Sequence, residues 1–137
     1  MKLRIAILVF GLIIISIGDV YGADWKFYGS SENFLGYYDA QSITRLSKNI
    51  VRVLWEKRNY TEKGIIDMVG ELGKKYKDLS YSKALIEINC LEKMNCLLSG
   101  ASYDNEGGVI YFFSFPSKWE FIFPESMAEI LYKEICK

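Results

Sequence analysis

The amino-terminal segment constrains this chain most, because it decides the compartment in which the rest must fold. Lys2 and Arg4 precede the apolar run Ile5–Ile17, and small residues follow, ending at Gly22. This order is typical of a secretory signal peptide, and the run is shorter than the roughly 20 apolar residues of a membrane-spanning helix. We predict a cleaved signal peptide over residues 1–22.

Cleavage after Gly22 would leave residues 23–137, which have the usual size of a single domain. The remaining sequence has no internal repeat, linker or low-complexity tract, so we expect one compact domain with no membrane span. No cysteine lies near the cleavage point, which predicts that the protein is not lipid-anchored. We therefore expect a periplasmic, secreted or cell-surface protein.

The composition removes several classes of function. The chain contains no histidine, which excludes Ser-His-Asp and Cys-His catalytic centres and histidine-ligated zinc or haem. Its 17 basic and 17 acidic residues balance, so nucleic acid is not an expected partner. The acidic pair Glu125 and Glu129 fits a helix cap as well as acid-base chemistry. We predict no catalytic residue, no cofactor and no metal site, with an uncharacterised enzyme as one alternative.

Hydrophobic periodicity predicts an α+β fold with a mainly antiparallel sheet. Thr61 is a candidate helix cap, and apolar residues at helical spacing follow it from Ile65 to Leu79. Ser126 and Glu129 form a capping box before a C-terminal helix that starts near Met127. Runs of period two or continuous apolarity predict strands at Trp25–Tyr28, Phe34–Asp39, Ser42–Leu46, Ile50–Tyr60, Ser80–Leu91, Leu97–Tyr103 and Val109–Phe115.

Two of these strands have faces of informative composition. In Ile50–Tyr60, one face carries Val51, Val53 and Trp55, and the opposite face carries Arg52, Glu56 and Arg58. Val109–Phe115 is apolar on both faces, which predicts a central strand. The aromatic residues of this region are expected to fill and cover the core, and the alternative is a binding surface: Tyr111, Phe112, Phe113, Phe115, Trp119, Phe121 and Phe123.

Three cysteines in an exported domain leave one without an intrachain partner. Cys90 shares strand parity with Ile86 and Ile88, and Cys136 lies at the edge of the apolar stripe of the C-terminal helix. We therefore prefer a Cys90–Cys136 disulfide, while Cys90–Cys96 remains the rival pairing. In the preferred scheme Cys96 is a small buried residue, an intermolecular bridge or a haem contact.

Short stretches spread along the chain carry a resemblance to a known family. They are Trp25–Gly29, Tyr37–Asp39, Val51–Val53, Tyr60–Gly64, Leu79–Ser82, Glu87–Cys90, Tyr103–Asp104, Pro116–Ser117 with Trp119, and Leu131–Lys133 with Cys136. In order and spacing they resemble the surface-adhesin protein E family of exported bacterial proteins. The resemblance implies an antiparallel sheet with a C-terminal helix tethered by a disulfide.

The resemblance also implies a surface-exposed bacterial protein that binds host matrix proteins, and haem binding is reported for the type member. The family's namesake is lipid-anchored, and Cys96 stands outside the family pattern. We predict a non-enzymatic, adhesin-like protein-binding module whose partner is a matrix or envelope protein. The alternative is a haem-binding periplasmic protein, for which Tyr28, Tyr37, Tyr38 and Cys96 are the candidate ligands.

Overall fold

The computed structural model describes residues 22–48 and 50–137, so the predicted signal peptide lies outside it apart from Gly22. The described residues form eight strands and two helices, and seven of the strands and both helices follow the predicted order; the short β8 was not predicted. The strands are β1 (Trp25–Ser30), β2 (Phe34–Asp39), β3 (Thr44–Leu46), β4 (Val51–Tyr60), β5 (Leu79–Asn89), β6 (Met94–Asp104), β7 (Val109–Phe113) and β8 (Glu120–Phe121). The helices are α1 (Glu62–Leu72) and α2 (Met127–Ile135), and a 3-10 turn spans Lys74–Tyr76.

All strands join one antiparallel sheet with the order β1-β2-β4-β5-β6-β7. The short strands β3 and β8 pair with β4 and β6 respectively. Strands that follow one another are mostly neighbours, and α1 sits in the connection between β4 and β5. The predicted α+β class with an antiparallel sheet is confirmed.

Both helices pack on the same side of the sheet, which we call the helix-bearing face. Its core lies beneath α2, where β4 and β5 contribute aliphatic side chains that α2 covers. Six residues form this buried cluster: Leu54, Ile86, Ile88, Ile122, Leu131 and Ile135. Burial of each such side chain contributes roughly 1.5–3 kcal/mol, which explains why a nine-residue helix is stable here.

A disulfide between Cys90 and Cys136 ties α2 to the end of β5, with a Cα–Cα distance of 5.6 Å. The preferred pairing and the predicted tether are therefore confirmed. The cap predicted at Ser126 is also present, because its hydroxyl accepts a hydrogen bond from the Glu129 amide at 3.1 Å. Cys96 remains a buried free thiol.

Helix α1 begins where predicted but ends earlier than the apolar spacing indicated. Thr61 accepts a hydrogen bond from the Gly64 amide at 3.1 Å, and the helix stops at Leu72 before Gly73. Gly64 lies against the β1–β2 turn, where a Cβ would come within 2.0 Å of the Asn33 carbonyl oxygen. That contact explains a glycine inside a helix, which otherwise costs about 1 kcal/mol. In the described ranges, no helix is long and apolar enough to cross a membrane.

Strand β4 has the two faces predicted from its alternation, and the face that carries its charged residues is the buried one. Arg52, Leu54 and Glu56 face the core side, whereas Val51 and Val53 are half-buried and Trp55 is exposed. Leu54 lies between the charged positions and is the apolar member of that face. Glu56 is tolerated there because it accepts hydrogen bonds from Tyr28 of β1 and from Arg58 of β4, and β4 alone does not reveal the contact with Tyr28.

The prediction of Val109–Phe115 as a central strand is wrong. In the part of the chain that the structure describes, β7 is the last strand of the sheet, pairs with β6 alone, and stops at Phe113. The expectation that its aromatic residues fill the core is also wrong, since Phe112 is 70% exposed and Phe115 is 83% exposed. Apolarity on both faces does not distinguish a central strand from an edge strand with a surface role.

Candidate binding surface

The side of the sheet opposite the helices, here called the open face, carries an array of aromatic and lysine side chains. In antiparallel strands, residues directly opposite one another share a face, so the register assigns this set without ambiguity. The array comprises Trp25, Phe27, Tyr37, Trp55, Lys57, Tyr81, Lys83, Tyr103 and Phe112. It crosses the sheet from β1 to β7.

Two lysines form the centre of the open face. Lys57 of β4 lies directly opposite Lys83 of β5. Lys57 Nζ lies 4.9 Å from the centroid of Tyr81 and 5.9 Å from that of Trp25. Lys83 Nζ lies 5.7 Å from Trp25 and 5.8 Å from Tyr81. These distances are within the range of cation–π attraction.

Neither lysine has a carboxylate partner among residues 22–48 and 50–137, where the salt bridges involve other cations. Like charges placed directly opposite on neighbouring strands destabilise a sheet. The aromatic rings compensate only in part, because a cation–π contact at an exposed site contributes about 0.5–1 kcal/mol. The centre of the open face is thus a cationic site with unused capacity for anions.

Aromatic pairs hold the surrounding surface in fixed positions. Tyr81 stacks on Tyr103 with centroids 4.8 Å apart, and Phe27 meets Tyr37 edge-on at 5.7 Å. Rings that are ordered before binding lose little conformational entropy when a partner arrives. Tyrosine and tryptophan are also the residues that dominate binding energy in protein interfaces.

Exposed aromatic residues extend this surface at one edge of the sheet. Phe112 of β7 and Phe121 of β8 lie opposite Ala101 and Met94 and therefore belong to the open face. Phe121 is 68% exposed, and Phe115 and Phe123 nearby in sequence are also exposed. The binding-surface alternative for this aromatic stretch therefore agrees with the structure better than the core interpretation.

The structure does not bring the candidate haem ligands together. Tyr28 donates a hydrogen bond to Glu56, and Tyr38 donates one to Glu134 at 3.3 Å, both on the helix-bearing face. Tyr37 points to the open face. Burial and the charge of Glu87 raise the pKa of the Cys96 thiol to about 11, so it stays protonated at neutral pH.

The Lys57–Lys83 pair is the site that sequence reasoning missed. In the sequence the two residues are ordinary charges on two separate strands, and only the register places them opposite each other. The detectable signal was their shared parity with Trp55 and Tyr81, which marks one face of each strand. That parity would have indicated which residues share the face, but not that Lys57 and Lys83 lie directly opposite each other.

One of the comparisons with known proteins identifies a family. Comparison with curated proteins and with solved structures gives no significant match. The family model for surface-adhesin protein E matches residues 25–137, which includes every strand and helix described above. The chain therefore belongs to the surface-adhesin protein E family.

Proposed function

We propose that this protein is an exported, non-enzymatic binding module that uses its open face to hold an acidic segment of a host matrix or envelope protein. The observation that carries the proposal is the Lys57–Lys83 pair, which is framed by ordered aromatic rings and has no carboxylate partner in the described structure. Membership of an adhesin family supports the same class of function.

The chemistry of the open face favours a partner with carboxylates beside apolar groups. A carboxylate placed between Lys57 and Lys83 would neutralise two charges that otherwise repel each other. Apolar or aromatic groups of the partner would then cover Trp25, Tyr81 and Phe112. Charge complementarity of this kind raises the association rate and weakens with salt, whereas aromatic burial slows dissociation.

The test compares two double variants that change the charge equally. Lys57→Glu with Lys83→Glu reverses the cationic centre, whereas Lys77→Glu with Lys118→Glu reverses two exposed lysines outside it. Binding to a panel of purified matrix proteins and to an envelope extract is measured by surface plasmon resonance at several salt concentrations. We expect the first variant to lose binding at least tenfold and the second to retain it.

Equal loss in both variants would show a general charge effect and contradict the assignment to the open face. Absence of binding by the unchanged protein to every matrix and envelope fraction would contradict the function itself. Circular dichroism and the urea midpoint of each variant show whether folding is retained, so a loss of binding is attributed to the surface only in a folded variant.

Export and processing are part of the same proposal. The signal peptide predicted over residues 1–22 would leave a mature amino terminus at Ala23, just before β1. Intact-mass measurement of protein recovered from the cell envelope should therefore begin at Ala23. A mature mass that still includes residue 1 would contradict cleavage.

A further inference from the structure

The helix-bearing face contains a cavity that the proposed protein-binding function does not use. Helix α2 covers one end of this face, and α1 with the following 3-10 turn stands over the other end. Between α1 and the sheet lies an open cavity of about 310 Å³. Its volume falls at the lower end of the range for small-molecule sites.

The walls of the cavity are largely apolar. Met68 and Leu72 of α1 and Tyr76 of the 3-10 turn form one side, and Tyr111 and Phe113 of β7 form the other. These side chains would bury an alkyl or aromatic group. Because the cavity separates this part of α1 from the sheet, the side chain of Leu72 is not covered and remains 53% exposed.

The floor of the cavity carries an ion pair between a buried carboxylate, Glu56, and a half-exposed guanidinium, Arg58. Glu56 is only 3% exposed, and its Oε1 accepts hydrogen bonds from the Tyr28 hydroxyl and from Arg58 Nε at 3.1 Å. The guanidinium of Arg58 also lies 4.6 Å from the centroid of Phe34, which holds it in place. Burial and the charge of Glu56 raise the pKa of Tyr28, so its hydroxyl remains a donor.

Both charged groups of the pair face the cavity. Glu56 and Arg58 line it, and their mutual hydrogen bond joins Glu56 Oε1 to Arg58 Nε. Arg58 also interacts with the Tyr28 hydroxyl. A second cavity of about 170 Å³ adjoins the first at Arg58, Tyr60 and Met68, so Arg58 borders open space on two sides. Charged groups kept at the floor of an apolar cavity cost free energy, which favours a binding role over a structural one.

The charges of the floor define the class of ligand. Glu56 and Arg58 neutralise each other, so a ligand carboxylate would be repelled by Glu56 and a ligand ammonium by Arg58. An uncharged group that accepts from Arg58 and donates to Glu56 satisfies both. We propose that this cavity binds a small, uncharged amphipathic molecule whose head group both donates and accepts hydrogen bonds, as a carboxamide does.

The test uses three probes with the same alkyl chain: hexanamide, hexanoate and hexylammonium. Each is titrated into the isotopically labelled exported protein, and binding is followed by amide chemical shifts. We expect hexanamide to shift the amides of Ser82, Ala84 and Ser102 and to bind about tenfold or more tightly than either charged probe, because a mismatched head group leaves a buried polar atom unpaired. Equal binding of all three probes, or no binding of hexanamide, would overturn the proposal.

Two matched variants locate the site. Met68→Gln changes the cavity wall, whereas Ile66→Gln changes an exposed position on the same helix that lines neither cavity. We expect Met68→Gln to weaken hexanamide binding at least about fivefold and Ile66→Gln to leave it unchanged. Equal effects, or shifts centred on Trp25 and Lys57, would overturn the assignment. Lys83 also lines this cavity, whereas Lys57 lines neither cavity. Because Lys57→Glu alone tests the open face without changing the cavity, the two proposals fail independently.

Discussion

Lys57 and Lys83 lie directly opposite each other on neighbouring antiparallel strands, and each contacts aromatic rings instead of a carboxylate. A surface optimised for stability alone would place opposite charges at such a position. Substitution of one of these lysines should therefore change the stability of the fold and the affinity for a partner in opposite directions.

We predict that Lys83→Glu stabilises the protein while it weakens partner binding. The change replaces repulsion with attraction across β4 and β5, a gain of about 0.2–1 kcal/mol, and Lys57 keeps its closer contact with Tyr81. Urea unfolding measures the free energy of unfolding, with Lys118→Glu as the exposed control. A clear loss of stability in Lys83→Glu alone would show that its cation–π contacts outweigh the repulsion.

Loss of the disulfide should affect α2 before the rest of the sheet. The Cys90–Cys136 bridge spans 46 residues, and a loop of this length stabilises the folded state by roughly 4 kcal/mol in the loop-entropy model. We expect Cys136→Ser to lower the free energy of unfolding by a few kcal/mol and to expose α2 to proteolysis.

Cys96→Ser is the matched control for the disulfide, because Cys96 is buried but forms no bridge. Its thiol lies 3.8 Å from Glu87 Oε2, an interaction that a serine hydroxyl can replace. The change should alter stability by about 1 kcal/mol or less. Non-reducing peptide mapping that linked Cys90 to Cys96 would contradict the assigned bridge.

Gly36 should be indispensable only while Tyr28 is present. A Cβ at position 36 would come within 2.2 Å of the Tyr28 ring, which crosses β2 to reach Glu56. We predict that Gly36→Ala costs about 1–3 kcal/mol through overpacking. In a Tyr28→Ala background the same change should be neutral or slightly stabilising, since alanine loses less backbone entropy than glycine. Additive effects in this double-mutant cycle would contradict the steric explanation.

Acid should weaken the attachment of α2 through Glu129. Hydrogen bonds from Lys93 and from the Glu125 amide lower the pKa of Glu129 in the folded protein. A carboxyl group whose folded pKa is depressed contributes stability above its unfolded pKa of about 4.3, and that contribution is lost as pH falls through the folded value.

The measurement is the free energy of unfolding between pH 7 and pH 3. Glu129→Gln should be less stable than the unchanged protein at pH 7, and the difference should shrink as the pH falls below about 4.3. A difference that stays constant across this range would show that Glu129 stabilises α2 independently of its charge.

The class of fold and the disulfide were predictable because each depends on local parity. Alternation over β4 and β5 places Cys90 with Ile86 and Ile88, and helical spacing places Cys136 beside Leu131. Both patterns can be identified from residues that are close together in the sequence. They can therefore be recognised without knowing which strands are neighbours in the sheet.

The direction in which β4 faces was not predictable in this way. Its inward face carries Arg52, Glu56 and Arg58. The hydrogen bonding of buried Glu56 depends on Tyr28, which has room to reach it because β2 has a glycine at position 36. The position of β7 at the end of the sheet is likewise a property of topology. Pair relationships between distant strands also created both candidate sites, so neither the lysine pair nor the cavity floor was visible in the sequence.

The strand parity that separates Cys90 from Cys96 also has a consequence for oxidative maturation. In the sequence Cys96 follows Cys90 by six residues, and Cys136 follows Cys96 by 40 residues. Cys96 is therefore synthesised before Cys136, although it is not the disulfide partner of Cys90. Pairing of β5 with β6 places Cys96 opposite Glu87 on the open face, whereas Cys90 packs beside the core on the helix-bearing face. Once the hairpin has formed, Cys90 and Cys96 lie on opposite faces of the sheet, and α2 places Cys136 on the face that carries Cys90.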